Sequence, residues 1–460
     1  MHTLKNYFIK SATSFDNPYN DVPAIKEWIK NQNKNIQVNI SSISFDEMDK
    51  WSFVNDFEAL RHESGNFFSI EGIHITTNYG NISNWQQPII NQPEVGYLGF
   101  IVKEINGVLH FLMQAKIEPG NVNYVQLSPT LQATKSNYQQ VHKGKKPQYL
   151  DYFINATPDQ VLLDQLQSEQ GGRFLRKRNR NIIIKVDADI HLFDNFIWMT
   201  LAQIKELMQI DNIINMDTRT VISGIPYENL YINVDSGNIF LQSLKDDRND
   251  LLHFDQLLHF ITKRKVNYDL EVKLISLKNL DQWVIEKDKI RHLENKYFQI
   301  VATRVAIENR EVVSWTQPMV KPAQEGICAF ICKKINGKIH FIVQTKLEAG
   351  NFDILELAPT VQCLTGNYRH TGKNKLPFLD YVLNVSKNKI IYDTLQSEEG
   401  GRFYKEQNRN LLILSEDSEW DQDLPENFVW MSLSQLHTFI KFNNYLNIQS
   451  RSLLAAINFI

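Results

Sequence analysis

Three short stretches of this chain combine residue types that can do chemistry, and each occurs twice. The first, Lys116-Ile-Glu-Pro-Gly-Asn121, returns as Lys346-Leu-Glu-Ala-Gly-Asn351. A lysine at the end of a buried strand, followed by a glycine loop, places one cation in a cleft. There it can hold phosphate, polarise a carbonyl oxygen, or act as a base if burial lowers its pKa. The plain alternative is a solvated lysine beside a turn. The second stretch, Ser128-Pro-Thr-Leu-Gln-Ala-Thr-Lys-Ser-Asn-Tyr138, returns as Ala358-Pro-Thr-Val-Gln-Cys-Leu-Thr-Gly-Asn-Tyr368. Thr130, Gln132, Asn137 and Tyr138, with Thr360, Gln362, Asn367 and Tyr368, offer donors, acceptors and one aromatic plate per copy. Such a set suits a sugar, a base or a phosphate ester, or else a polar loop that satisfies its own backbone. The third, Leu166-Gln-Ser-Glu-Gln-Gly-Gly-Arg-Phe174, returns as Leu395-Gln-Ser-Glu-Glu-Gly-Gly-Arg-Phe403. Paired glycines let the backbone approach a ligand, or simply stop a helix. Arg173 and Arg402 can clamp a diphosphate through a planar fork, and Glu169 and Glu398 can transfer protons if partly buried.

The first two stretches repeat at an offset of 230 residues and the third at 229. Solenoid repeats are far shorter, about 20–50 residues, so this is a duplicated domain. Outlying matches include Trp51 with Trp283, and Trp85, Gln87 and Pro88 with Trp315, Gln317 and Pro318. Trp85 and Trp315 suit either stacking on a nucleobase or a place in the core, the core coming first; Gln87 and Gln317 join the candidate binding set. Arg61-His62 and Arg291-His292 read as structural positions on helices. The pattern divides the chain into an extension at 1–21, a first repeat at 22–222, a linker at 223–253 and a second repeat at 254–460.

Local signals suggest what positions these groups. Asn106-Gly107 and Asn336-Gly337 each separate two apolar runs, the signature of a hairpin with a type I′ turn. Asp159–Ser168 shows helical spacing and ends at Gly171-Gly172, where a left-handed cap would stop it. Ile182–Val186 and Leu411–Leu414 read as strands, and Thr200 and Ser432 as helix N-caps. Hairpin, helix, strand and helix in each copy make an α+β sandwich rather than a doubly wound parallel sheet.

Composition narrows the class. With 460 residues the chain exceeds one core, and a net charge of -3 gives no general pull toward nucleic acid or membrane. No apolar run approaches the roughly 20 residues of a spanning helix, and the N-terminus lacks a signal-like apolar core, so a cytoplasmic location is expected. The 3 cysteines do not make a disulfide framework; Cys328 and Cys332 read as small buried residues of one strand.

Duplicated at this spacing, the second and third stretches, with Lys177-Arg-Asn-Arg-Asn181 after the latter, resemble the NDP-hexose 2,3-dehydratase family over nearly the whole chain. The resemblance implies two tandem Nudix-like repeats and a homodimer, with a nucleotide-sugar pocket in each repeat, of which one is catalytic. It implies a carbon–oxygen lyase that removes the C2 hydroxyl of dTDP-4-keto-6-deoxyglucose to give a 3,4-diketo-2,6-dideoxy sugar. An NADPH-dependent 3-ketoreductase would be the pathway partner. On this reading Lys116, Glu169 and Tyr138, with Lys346, Glu398 and Tyr368, are the catalytic candidates. The substrate-binding candidates are Trp85, Gln87, Thr130, Gln132, Asn137 and Arg173, with Trp315, Gln317, Thr360, Gln362, Asn367 and Arg402. No dinucleotide fingerprint is present, and the glutamate-rich helix that holds metal in Nudix hydrolases is missing, so neither cofactor nor metal is expected. A nucleotide diphosphate hydrolase and a non-catalytic nucleotide-sugar binding protein are the competing readings.

Overall fold

The computed structural model describes residues 2–34, 36–135, 146–227, 237–244, 249–307, 314–364, 376–416 and 423–460. Each repeat builds a mixed seven-stranded sheet. In the first, Tyr97–Ile105 and Val108–Ile117 form the expected hairpin, with Asn106 and Gly107 at φ 52° and 75°. Both values fit the type I′ turn, as do 52° and 84° at Asn336 and Gly337 between Gly326–Ile335 and Lys338–Lys346. Arg178–Lys185 runs parallel to Tyr97–Ile105, and Val161–Ser168 closes the sheet antiparallel to it. The second repeat copies this order with Gln407–Leu414 and Ile390–Ser397.

The expected helix at 159–168 is therefore strand Val161–Ser168. Its pairing with Arg178–Lys185 over seven residue pairs outweighs its local spacing. Gly171 and Gly172 do not adopt positive φ and cap no helix. Arg61-His62 and Arg291-His292 likewise lie on strands, Ala59–His62 and Lys289–His292. The N-caps are as expected: Thr200 accepts from the amide of Gln203 and Ser432 from that of Gln435. Helices Leu201–Leu207 and Leu433–Phe439 follow them.

A smaller five-stranded sheet accompanies each large one, and here the repeats trade parts. Val38–Ser42 pairs with Phe298–Ile307 of the second repeat's small sheet. Leu270–Ile275 pairs with Ser69–Thr77 of the first repeat's small sheet. A single core cluster joins Phe100 and Phe111 to Phe330 and Phe341, with Val221 and Leu453 from the late helices of the two halves. A second cluster between the small sheets brings Phe174 and Phe403 together edge to face, 5.8 Å apart. Helices His2–Ala12 and Ile239–Ser243 occupy matching places: Ser11 donates to Leu109 O and Ser243 accepts from the amide of Ile339.

Replacing both Asn39 and Ile40 by proline removes one ladder donor facing Phe298–Ile307, since neighbouring strand residues face opposite ways. Hydrogen exchange should then accelerate at Thr303–Ile307, in the other repeat, while Tyr97–Ile117 stays protected. Exchange that changes only around the substitutions would contradict the strand trade.

Candidate active site

Lys116 ends the second hairpin strand, and its Nζ donates to Gln132 O at 3.1 Å. Gln132 then links two neighbours: its amide donates to Glu118 Oε1 at 2.8 Å and accepts from Asn215 Nδ2 at 3.1 Å. Asn215 caps helix Met216–Ser223, which puts Asp217 in that helix's first turn. The second repeat reproduces the set: Lys346 on Gln362 O, and Gln362 between Glu348 at 3.0 Å and Asn447 at 2.7 Å.

The Gly-Gly loop completing each set comes from the other repeat, which corrects the expectation of a self-contained clamp per copy. Gly120 donates to Gly400 O at 2.7 Å, and Lys405 returns a bond to Gly120 O. Gly350 meets Gly171 and Arg176 in the same way. A β-carbon on Gly120 would lie 1.6 Å from Phe403 O, and one on Gly350 1.7 Å from Phe174 O. Only glycine permits this approach. The crossing places Glu399 in the first pocket: a β-carbon on Gly401 would sit 2.3 Å from Glu399 Oε1 and 3.5 Å from Glu118 Oε1.

Two buried arginines lock the arrangement. Arg219, on the helix of Asp217, donates to Gln396 Oε1 and Ser397 O across the repeats. Arg451 reaches Ser168 O in the reverse direction. Such charge-assisted hydrogen bonds are typically worth about 1.5–3 kcal/mol each.

Other expected site residues sit further back. Trp85 bonds Gln87, whose amide donates to Gly172 O at 3.1 Å; Trp315 bonds Gln317, which donates to Gly401 O at 2.8 Å. These pairs orient the Gly-Gly turns. Thr130 and Thr360 are corrected from ligand contacts to strand staples. Each accepts a strand amide, from Ile101 or Ile331, and donates to a strand carbonyl, at Leu112 or Ile342. Arg173 stacks over Phe298 and Arg402 over Phe68, and each donates to the carbonyl of the glycine before it. Glu169 accepts from Asn179 at 2.7 Å and Glu398 from Asn408 at 2.6 Å. Asn137, Tyr138, Asn367 and Tyr368 lie outside the described residues. Cys328 and Cys332 are buried, as expected of core residues.

The pockets are equal in plan and unequal in charge. Asp217 and Glu399 of the first correspond to Gln449 and Gln170 of the second. Lys177, buried beside Glu169, corresponds to Glu406. Burial raises the carboxyl of Asp217 well above its ordinary value, and nearby Glu169, Glu118 and Glu399 add to the effect while Lys116 opposes it. Burial pushes Glu399 up to about 7, opposed by Arg402 and reinforced by Glu118 and Glu169. In the second pocket, burial takes Glu406 to about 8, with Arg173 opposing. Gln449 is 2 % exposed, and neither of its amide atoms has a hydrogen-bond partner among the described residues. Sequence reasoning passed over Asp217, Asn215 and Glu399. The matched frames Asn215-Met-Asp-Thr-Arg219 and Asn447-Ile-Gln-Ser-Arg451 were the available signal.

Comparison with known proteins settles the lineage. The family model described as NDP-hexose 2,3-dehydratase matches residues 23–225 and again 254–457. The chain belongs to this family. Among its relatives is a dTDP-4-dehydro-6-deoxy-α-D-glucopyranose 2,3-dehydratase of Saccharopolyspora spinosa, 42% identical over 98% of this chain and 94% of that protein. Similarly named enzymes of Amycolatopsis orientalis and Streptomyces violaceoruber are 40% and 39% identical, covering 99% and 95% of this chain and 94% and 97% of their own lengths. A cavity of about 470 Å³ lined by Asn238, Phe240, Tyr392 and Ile460 includes none of the repeated-motif side chains described above. Among the described residues no helix is long and apolar enough to cross a membrane.

Gly120→Ala and Gly350→Ala should each lower stability by about 1–3 kcal/mol in urea unfolding, because a backbone must move aside. Gly237→Ala, whose β-carbon would meet nothing within 4 Å, should not. Equal stability of all three variants would contradict the crossing contact.

Proposed function

We propose that this chain dehydrates dTDP-4-keto-6-deoxyglucose across C2 and C3, the activity named for its relatives. The near full-length similarity to three such enzymes is the observation that carries this reading. The chemistry suits the residues at hand. The C4 ketone acidifies the hydrogen on C3; its removal gives an enolate whose oxygen needs a donor or cation. The C2 hydroxyl then leaves as water, and the enol gains a proton at C2 to give the 3,4-diketone. Atoms balance as substrate minus water, and no electrons are exchanged.

We assign Lys116 to the C4 oxygen. It is half-buried, donates to the Gln132 carbonyl, and stands among carboxyl groups. A preorganised cation in a water-poor site stabilises the enolate more than it stabilises the ketone. Tyr138, Asn137 and Gln132 are proposed to meet the sugar, and Arg402 and Arg173 the diphosphate. Glu169 and Glu398, each held by an asparagine, remain proposed proton-transfer groups that support the loop they precede. The charge differences favour the first pocket as the reacting one: the second has amides where the first has Asp217 and Glu399. The mixed sheets with one parallel strand pair per repeat support a Nudix-like description. We further infer a cytoplasmic homodimer working ahead of an NADPH-dependent 3-ketoreductase that consumes the unstable diketone.

Incubation with dTDP-4-keto-6-deoxyglucose, NADPH and a 3-ketoreductase should yield a product lighter by one water before reduction is counted, read by mass spectrometry. Lys116→Met should lower turnover by about 10²-fold or more, and Lys346→Met far less. Full turnover in Lys116→Met would remove lysine from the C4 oxygen, and binding without water loss in the wild type would favour a binding protein.

A further inference from the structure

We infer that Asp217 and Glu399, brought together from opposite repeats, are the acid and base of the first pocket, Glu399 taking the C3 proton and Asp217 protonating the departing C2 oxygen. This rests on the dehydratase reading above and adds two catalytic residues to it.

The argument begins with geometry. Asp217 stands in the first turn of a helix whose cap, Asn215, is bonded to Gln132, and Gln132 is bonded to Glu118. Glu399 reaches the same place on the Gly400-Gly401 turn, beside Glu118 Oε1. Arg219 ties Asp217's helix to Gln396 and Ser397, directly ahead of Glu399, so the spacing of the two acids is fixed across the repeats. Asp217 is 3 % exposed and lies buried among Glu169, Glu118 and Glu399, with Lys116 as the opposing charge. A carboxyl group held this way is costly for folding alone, which points to a ligand.

The second observation is the matching pocket. There both acids are amides, Gln449 and Gln170, while the frame around them is retained. Among the described residues, Gln449 is buried with both amide atoms unpartnered, and Gln170 Oε1 is also unpartnered. Amides at these points can contact a polar ligand and cannot exchange protons with it.

Surrounding charge divides the roles. Asp217 faces Glu118, Glu169 and Glu399, with Lys116 as the opposing cation, and so retains a proton it can give. Glu399 also faces Glu118 and Glu169, but Arg402 is its main opposing charge, Lys116 adds to it and Lys177 lies close by, which favours its ionised form over that of Asp217. In the reaction, the C3–H bond breaks toward Glu399 and electrons move to the C4 oxygen held by Lys116. The C2–O bond then breaks with the proton from Asp217, and water leaves. The proton on Glu399 is available for return to C2, and the proton that the C3 enol hydroxyl then releases returns, through solvent, to Asp217.

The test uses the full chain and dTDP-4-keto-6-deoxyglucose in D₂O, following C3 exchange by NMR and water loss by mass spectrometry. Glu399→Gln should lose both, by about 10²-fold or more, whereas Asp217→Asn should keep C3 exchange and lose water release. Either variant dehydrating at the wild-type rate, or Glu399→Gln still exchanging C3, overturns the assignment. Wild-type protein that releases no water would sink the dehydratase reading instead. Should a variant fail to fold, the wild-type pH profile decides. Turnover must fall as pH drops through about 7, because Glu399 becomes protonated, and Arg402→Gln must move that limb upward. A flat profile overturns the role of Glu399.

Discussion

Two backbones touching without side chains between them set the terms for everything else in this molecule. Where Gly120 meets Gly400, and Gly350 meets Gly171, the loops are hydrogen-bonded at 2.7 Å and 2.6 Å with no room for a β-carbon. That closeness brings an acidic loop of one half against the lysine of the other. The traded small-sheet strands, the edge-to-face contact of Phe174 and Phe403, and the arginines at 219 and 451 all hold the halves in the position this contact requires. A pocket assembled in this way inherits the rigidity of the whole interface, which suits chemistry that depends on placing donors before charge develops.

The same interface concentrates buried charge. Glu118, Asp217, Glu169 and Glu399 gather near Lys116, while Lys177 and Arg402 provide further cations. Burial disfavours the charged forms of Asp217, Glu169, Glu399 and Lys177, and mutual repulsion among the acids adds to the cost. The second pocket relaxes part of that cost by replacing two acids with glutamines. A hydrophobic site would be cheaper still, but it could not hold an enolate or move a proton.

Much of this was legible in the sequence. The Asn-Gly hairpins were, because positive φ at both turn positions is a local demand with few solutions. So were the N-caps at Thr200 and Ser432, and the three motif blocks with their duplication. Strand Val161–Ser168 was misread as a helix because Leu162, Leu163 and Leu166 satisfy both periods, and its partner strand, further along the chain, decided the outcome. The crossing of the Gly-Gly loops was invisible for a different reason: repeat matching compares each half with its counterpart and says nothing about which half touches which. Thr130 looked like a ligand contact because it is polar and repeated, yet its hydroxyl serves Ile101 and Leu112. The repeat pattern marks only positions the halves share, and Asp217 lies where they differ, opposite Gln449.

Strand trading carries a consequence for symmetry. A dimer of identical single-repeat chains with these contacts would have two pockets related by a two-fold axis, and any residue change would appear in both. Joining the halves in one chain gives each pocket its own codons. Position 217 can then be acidic while position 449 is neutral, and position 399 can differ from position 170. Covalent linkage thus supplies what geometry alone cannot, the freedom for two interlocked and nearly identical cavities to become chemically distinct.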